Sequence, residues 1–343
     1  PELYFQTVLY TGNGGTNAIT FDGSENMQPD FVWVKCRDVG HSHTLYDSVR
    51  TSPAKNFLKS DDTIAERTVA IGSFDSNGVT FTNNDGFNNG SGNYVIWAWK
   101  MNGSGSSNTE GSLNTTANSV STTAGQSIIS YTGNGTDGAT IGHGLDTAPD
   151  VLLLKDRDNV RNWRVLHTGY GDASKNLLLN TTGAFSTRAD DFNSTYPSST
   201  LITLGGDGAV NGNTTKYIIY AFSSVKGYSK HGTYTGGGSD FPFIFTGFKP
   251  SWIMIKRSSD GTDRWTIIDN KRDSFNVSNT GLYGDDAQAE NSTTSEQGLD
   301  ILSNGFKIRN SNTKQNTSGA TYIFMAFAEA PFVNSNGVPT NAR

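Results

Sequence analysis

The chain has 343 residues, a formal net charge of −6 and a pI near 5.4. Its lysines and arginines are scattered and form no basic stripe, which excludes a nucleic-acid binder of the usual electrostatic kind. A single cysteine, Cys36, excludes a disulfide framework and a cysteine metal cluster, and no apolar run reaches the length of a membrane-spanning helix, so no membrane insertion is expected.

Thirty-nine glycines and nine prolines mark a turn-rich chain, and aromatics at 11 % supply core mass. The opening Glu2-Leu3-Tyr4-Phe5-Gln6 is similar to a protease-tag scar that lacks one residue; it also reads as the entry into a first strand. That strand ends in Tyr10-Thr11-Gly12-Asn13-Gly14, where the glycines permit a tight turn. Residues 18–21 predict a short strand. Pro29 then introduces Phe31-Val32-Trp33-Val34-Lys35, whose apolar, aromatic and β-branched run predicts a buried strand. A charged loop at Arg37-Asp38 predicts a hairpin to His43-Thr44-Leu45-Tyr46-Asp47. After Asn56-Phe57-Leu58 comes a polar loop, 59–68, of the kind that carries diversity and binding. Asn77-Gly78 is a hairpin signal into Val79-Thr80-Phe81, and Tyr94-Val95-Ile96-Trp97-Ala98-Trp99 closes the unit.

The same order returns twice. Tyr131-Thr132-Gly133-Asn134-Gly135 leads to Pro149…Lys155-Asp156-Arg157, Trp163…His167, a polar loop at 181–198, Asp207-Gly208-Ala209-Val210 and Tyr217…Phe222. Tyr234-Thr235-Gly236-Gly237-Gly238 leads to Pro250…Lys256-Arg257, Trp265…Asp269, a polar loop at 284–298, Asn304-Gly305-Phe306 and Tyr322…Phe327. From Pro to Lys the offset is six each time (29 to 35, 149 to 155, 250 to 256). Internal repetition of this kind decides the fold reading. It predicts an all-β protein of three tandem β-sandwich repeats, jelly-roll or lectin-like, at 6–100, 127–226 and 227–333. Residues 101–126, rich in Gly, Ser, Asn and Thr, read as a flexible or lightly ordered linker, and 334–343 as a polar tail.

Chemistry is sparse. His41 and His43 could share one side of an extended segment, but no third ligand stands at a recognisable spacing, so they read as solvated loop histidines. His167 stands where the other units have Asp47 and Asp269 and reads as a polar strand end. These aspartates belong to different units, and Asp38, Asp156 and Asp158 sit in hairpin loops, so no carboxylate pair for glycoside hydrolysis emerges. The glycine turns lack the Gly-Lys-Ser/Thr of a phosphate loop, and the acidic loops lack calcium-loop spacing. No catalytic residue, metal site or cofactor is expected. The tryptophans lie mostly on predicted strands and read as packing residues. Tyr170, Phe192 and Tyr196, in or near the second unit's variable loops, are the better candidates for stacking on a ligand.

The Tyr-Thr-Gly-x-Gly turns, the Pro…Lys-x-Arg strands and the Tyr-led strands ending in Ala-Phe resemble a family of uncharacterised virion proteins of tailed, often marine, bacteriophages. The resemblance covers about residues 7–332. It implies a structural or host-contacting part of a phage particle, a tail fibre or head decoration, non-enzymatic and located on the virion surface. Its partners would be other virion proteins and a host-surface glycan or protein. A homotrimer would be in keeping with fibre proteins, although no heptad run marks a trimer seam. The third unit departs from the pattern, with Lys256 and Arg257 adjacent. A lectin-like module and, less in keeping with the residues, a polysaccharide-degrading enzyme are the other readings.

Overall fold

A computed structural model describes residues 1–50, 56–68, 72–82 and 86–331; the tail at 334–343 lies outside them. Among the described residues the regular structure is almost all strand. The first section holds β1 (Phe5–Thr11), β2 (Asn17–Thr20), β3 (Phe31–Cys36), β4 (Thr44–Asp47), β5 (Asn56–Phe57), β6 (Arg67–Thr68), β7 (Ser73–Asp75), β8 (Gly78–Phe81) and β9 (Asn93–Trp99). The second holds β10 (Thr115–Ser121), β11 (Gln126–Thr132), β12 (Ala139–Gly142), β13 (Val151–Asp156), β14 (Arg164–His167), β15 (Lys175–Asn176), β16 (Ser186–Thr187), β17 (Leu201–Leu204) and β18 (Lys216–Phe222). The third holds β19 (Ser229–Thr235), β20 (Phe243–Phe245), β21 (Phe248–Arg257), β22 (Thr266–Asp269), β23 (Thr280–Tyr283), β24 (Asn291–Ser292), β25 (Leu299–Leu302), β26 (Gly305–Ile308) and β27 (Thr321–Pro331).

Each section builds one large antiparallel sheet, ordered β1-β9-β3-β4, β10-β11-β18-β13-β14 and β19-β27-β21-β22-β23-β24, faced by a small one, β2-β8-β7, β12-β17 and β20-β26-β25. The central strands are apolar on both faces because both faces are covered. In β9, Tyr94, Ile96 and Ala98 point into the space under the first section's small sheet. Val95, Trp97 and Trp99 point the other way, into a cluster that all three sections share. The same alternation divides β18 and β27. Trp99, Phe222 and Phe327, the last residue of each repeated Tyr-led motif, meet as a triangle with ring centroids 6.3, 5.8 and 5.5 Å apart. The three large sheets thus close around one aromatic axis.

The recurrent Tyr-Thr-Gly-x-Gly turn is held by a tyrosine pair. Tyr10 stacks on Tyr94, Tyr131 on Tyr217 and Tyr234 on Tyr322, with centroids 5.0–5.1 Å apart. The first glycine of the motif presses on backbone: a Cβ on Gly12, Gly133 or Gly236 would lie 2.1–2.4 Å from a carbonyl oxygen. Its second glycine, Gly14, Gly135 or Gly238, has φ near +70°, where side chains are disfavoured.

Two expectations fail. Residues 101–126 are no flexible linker: they include β10, which extends the second sheet by pairing with β11. Asp207-Gly208 does not open a strand. Asp207 caps the single-turn helix α1 (Gly208–Asn211), its carboxylate accepting from the Ala209 N–H. An aspartate that can bond the backbone two residues on favours a helix start over a strand. The counterpart of β8 is instead β17, which pairs with β12 as β8 pairs with β2.

Candidate interaction surface

Most residues that carry chemistry lie at the joints between sections. The joints run in one rotational sense. The first section's 59–68 loop reaches the second, the second's 181–187 reaches the third, and the third's 284–291 reaches the first. Glu66 N–H donates to Arg157 O, Phe185 N–H to Ser258 O and Glu290 N–H to Arg37 O, at 2.8–3.0 Å. Loops expected to carry binding diversity therefore brace the ring.

The Lys-x-Arg strands are the sockets for these loops. Arg37 binds Glu290 through two bonds of 2.8 and 2.9 Å, and Arg157 binds Glu66 through two of 2.6 and 2.9 Å. Bidentate pairing fixes angle as well as distance. Burial alone would raise the Glu66 carboxyl, yet Arg157 and Arg50 hold it at about 2. In the third joint Ser258 takes the arginine's place and Phe185 the glutamate's. Phe185 stacks on Tyr170, with centroids 4.0 Å apart. Lys35, Lys155 and Lys256 are buried, and burial pushes each down to about 8. Lys35 donates to Cys36 O and across the joint to Ala287 O (2.7 and 3.1 Å), and Lys256 to Arg257 O and across to Thr182 O (both 2.9 Å). Lys155 stays within its own section, on Asp156 O and Asn159 O.

A ring N–H spans each joint as well. Trp163 Nε1 donates to Lys59 O (2.7 Å) and Trp265 Nε1 to Leu178 O (3.1 Å). His43 holds the equivalent place in the first section, with Nε2 2.8 Å from Tyr283 O. Its Nδ1 accepts from Trp33 Nε1 at 2.8 Å, which assigns the donating proton to Nε2. Far from being a solvated loop residue, His43 is fully buried, and burial holds its imidazole well below the usual range. Asp47 and Asp269 are buried too, each bonded at 2.6 Å to an arginine three residues on, Arg50 and Arg272. The equivalent His167 is pushed down to about 4 by burial and lies 3.4 Å from Phe324 O.

The three residues expected to stack on a ligand do not form a site. Phe192 is fully buried in the second section's core, and Tyr196 packs against that core. Both are apolar punctuation in a polar stretch, and in a small sandwich such residues are drawn under the sheet. Tyr170 is half-buried at a joint, stacked on Phe185, with the Lys175 ammonium 5.6 Å from its ring.

Exposed aromatics lie elsewhere, on the third section. Phe243 and Phe245 of β20 are 45 % and 60 % exposed, and Phe241 just before them 40 %. Between them Ile244 faces the core. Two exposed phenylalanines at alternate positions of an edge strand are unusual, because such a row invites another strand. They line a groove of ≈ 390 Å³ with Lys230, Gly232, Thr233 and Tyr234 of β19, the edge of the large sheet. Sequence reading overlooked this place. Its signal was Phe241-Pro242-Phe243-Ile244-Phe245, where the matching strands carry Ala18-Ile19-Thr20 and Thr140-Ile141-Gly142.

Fold and surface define an all-β body of paired antiparallel sheets, braced internally by its polar residues. The chain belongs to the family described as a domain of unknown function, DUF7483, whose pattern matches residues 1–331. No curated protein matches it.

Proposed function

We propose that the protein is a non-enzymatic structural and adhesion component of a phage particle, a tail fibre or surface decoration that acts through assembly and host-surface contacts. The resemblance of its repeated motifs to virion proteins supports this reading. The observation that carries it is where the reactive side chains lie. Asp47, Asp269, His43, His167, Lys35, Arg37 and Arg157 are engaged in bracing one section against the next, while Phe243 and Phe245 stand exposed beside a groove at a sheet edge. Such a distribution suits a body that works by being rigid and by docking. In this reading the three sections are tandem β-sandwich units, and one chain presents the three-part body that a homotrimer would otherwise build.

The test is mass spectrometry and antibody labelling of purified particles. Labelling of the particle surface is the expected result; a chain found only in the unassembled fraction overturns the reading. A glycan-binding role has one specific observation behind it. A pocket of ≈ 230 Å³ in the first section gathers His41, Lys59, Arg67 and Asn89, donors suited to an acidic sugar. A glycan array decides between host glycan and protein contact.

A further inference from the structure

In the second section the gap between the edges of the two sheets is filled by the chain itself. Residues 111–121 pass through it, and 106–108 fold back along 115–118, with Ser106 bridged to Asn118 and the Thr115 N–H donating to Asn108 O at 3.0 Å. β10 pairs with β11 from Thr115↔Tyr131 to Ser121↔Gln126. Just before it, Leu113 N–H donates to Thr140 O at 2.9 Å, and Thr140 N–H donates to Ser112 Oγ at 2.9 Å. Leu113 packs on the core beneath. The crossing is close: a Cβ on Gly111 would sit 2.2 Å from Thr140 O, and one on Gly142 2.2 Å from Asn108 Oδ1. The segment exists because a long connection, 100–125, separates β9 from β11.

The third section has the same two edges, β19 and β20, but the connection from β18 to β19 is only 223–228. That short turn reaches the first half of β19, where His231 N–H donates to Ser224 Oγ and Val225 N–H to Ser229 O. From Gly232 to Thr235, β19 has β27 as its sole strand partner among the described residues. Those residues correspond to the part of β11 that receives 115–118. On the facing edge, Phe243 stands for Thr140 and Phe245 for Gly142, by their pairing with Lys307 and Gly305 against Thr203 and Leu201. The glycine that admits a crossing chain in one section is thus an exposed phenylalanine in the section that has no chain to admit.

We infer that this groove takes an extended strand from another polypeptide, seated as residues 111–121 are seated in the second section, on the edge of β11 and against Thr140. Main-chain hydrogen bonds on the outer edge of β19 supply the pairing, and an apolar side chain at the place of Leu113 enters between Phe243 and Phe245. Strand addition of this kind draws affinity from the backbone and specificity from alternate side chains. The occupant is a Ser/Thr/Asn-rich strand with one apolar residue and no basic ones, since Lys230 stands exposed at the rim. That the donor is another protein of the same particle rests on the functional reading above; the seating does not.

The experiment titrates labelled peptides into the full chain by fluorescence anisotropy. The probes are the peptide of residues 106–121 and its Leu113→Phe and Leu113→Asp forms. The Leu and Phe peptides are expected to bind saturably and to slow amide exchange at residues 232–235. Affinity is expected to fall about tenfold or more with the Asp peptide or with the chain carrying Phe243→Ser and Phe245→Gly. Thr233→Pro, which removes an outward N–H and spares the phenylalanines, is expected to weaken binding likewise, and it carries the test if the double variant does not fold. No binding by any peptide overturns the inference, as does equal binding to wild type and variants. Binding without protection of 232–235 overturns strand pairing in favour of aromatic contact alone. Self-association of the chain that disappears in the double variant assigns the groove to a second copy and overturns the partner named here. Peptide binding by a chain absent from particles would keep the groove and remove the particle reading.

Discussion

Tyr220 donates its hydroxyl proton to the buried carboxylate of Asp47 at 2.7 Å, across the joint between the second and first sections. One joint on, Trp97 Nε1 makes the equivalent bond to Asp269 at 3.0 Å. The third joint has Met325 in the donor's position, a side chain with nothing to donate. There the acceptor is His167 and the arginine partner is missing. Donor, acid and arginine are thus present or absent together, which is what the cost of an unpaired buried charge requires.

Removing the tyrosine hydroxyl tests this coupling. Tyr220→Phe is expected to cost about 1.5–3 kcal/mol, the worth of a buried bond to a charged acceptor. Asp47→Ala takes from Arg50 the nearer of its two carboxylates, leaving Glu66 at 3.1 Å, and is expected to cost up to ~3–5 kcal/mol. The double variant should fall short of the sum by ~1 kcal/mol or more. Urea midpoints of the four proteins give the coupling; strict additivity would show that the two residues do not interact.

A second prediction concerns size compensation. The first section pairs Trp33 with His43 where the second has Leu153 with Trp163 and the third Met254 with Trp265. Trp33→Leu alone leaves a cavity and His43→Trp alone overpacks, at about 2–4 and 1–3 kcal/mol. Together they reproduce the second section's arrangement, and the melting temperature of the double variant is expected to exceed that of either single one.

Stability is expected to fall in mild acid. Burial is the main cause holding the imidazoles of His43, His143, His167 and His231 below 6.5, the last two at about 4 and about 3. Unfolding restores ordinary values, so between pH 6.5 and about 4 the unfolded chain binds more protons than the folded one. The stabilisation is whole above the unfolded value and is lost as pH drops through that window, at up to ~1.4 kcal/mol per pH unit for each histidine. Below 4.5 the depressed Glu66 adds to the loss. The carboxyls of Asp30, Asp61, Asp191 and Asp285, raised above 3.8 by burial, work against it. The slope is therefore read from about pH 6.5 to 5. His167→Gln should make it shallower; an unchanged slope would remove His167 from the account.

The second section alone, residues 101–226, is expected to bind a hydrophobic dye and to unfold without a cooperative transition. Its Ile128, Val151, Leu153, Ile218, Tyr220 and Phe222 belong to the shared cluster and would face water. Exposing that much apolar surface forfeits tens of cal/mol for every Å². A sharp melt from this fragment would show that its own core suffices.

Strand identity was legible wherever local pattern dictates it. The apolar runs of β3, β13 and β21 could only be strands with both faces covered, and each Tyr-Thr-Gly-x-Gly turn announced itself through glycine. Burial of the tryptophans followed from alternation. What the chain alone could not disclose is which surface covers the second face of each large sheet. Lys35, Arg37, His43 and the polar loops looked like surface chemistry because their partners lie in another section, in some cases 240 residues or more away. The 101–126 segment looked like a linker because its Ser/Thr/Asn composition is that of a solvated chain, yet a strand that adds to a sheet edge is held by its backbone, and backbone bonding leaves little mark on composition. For the same reason the groove beside Phe243 and Phe245 became visible only once two sheet edges, separate in sequence, stood next to each other in space.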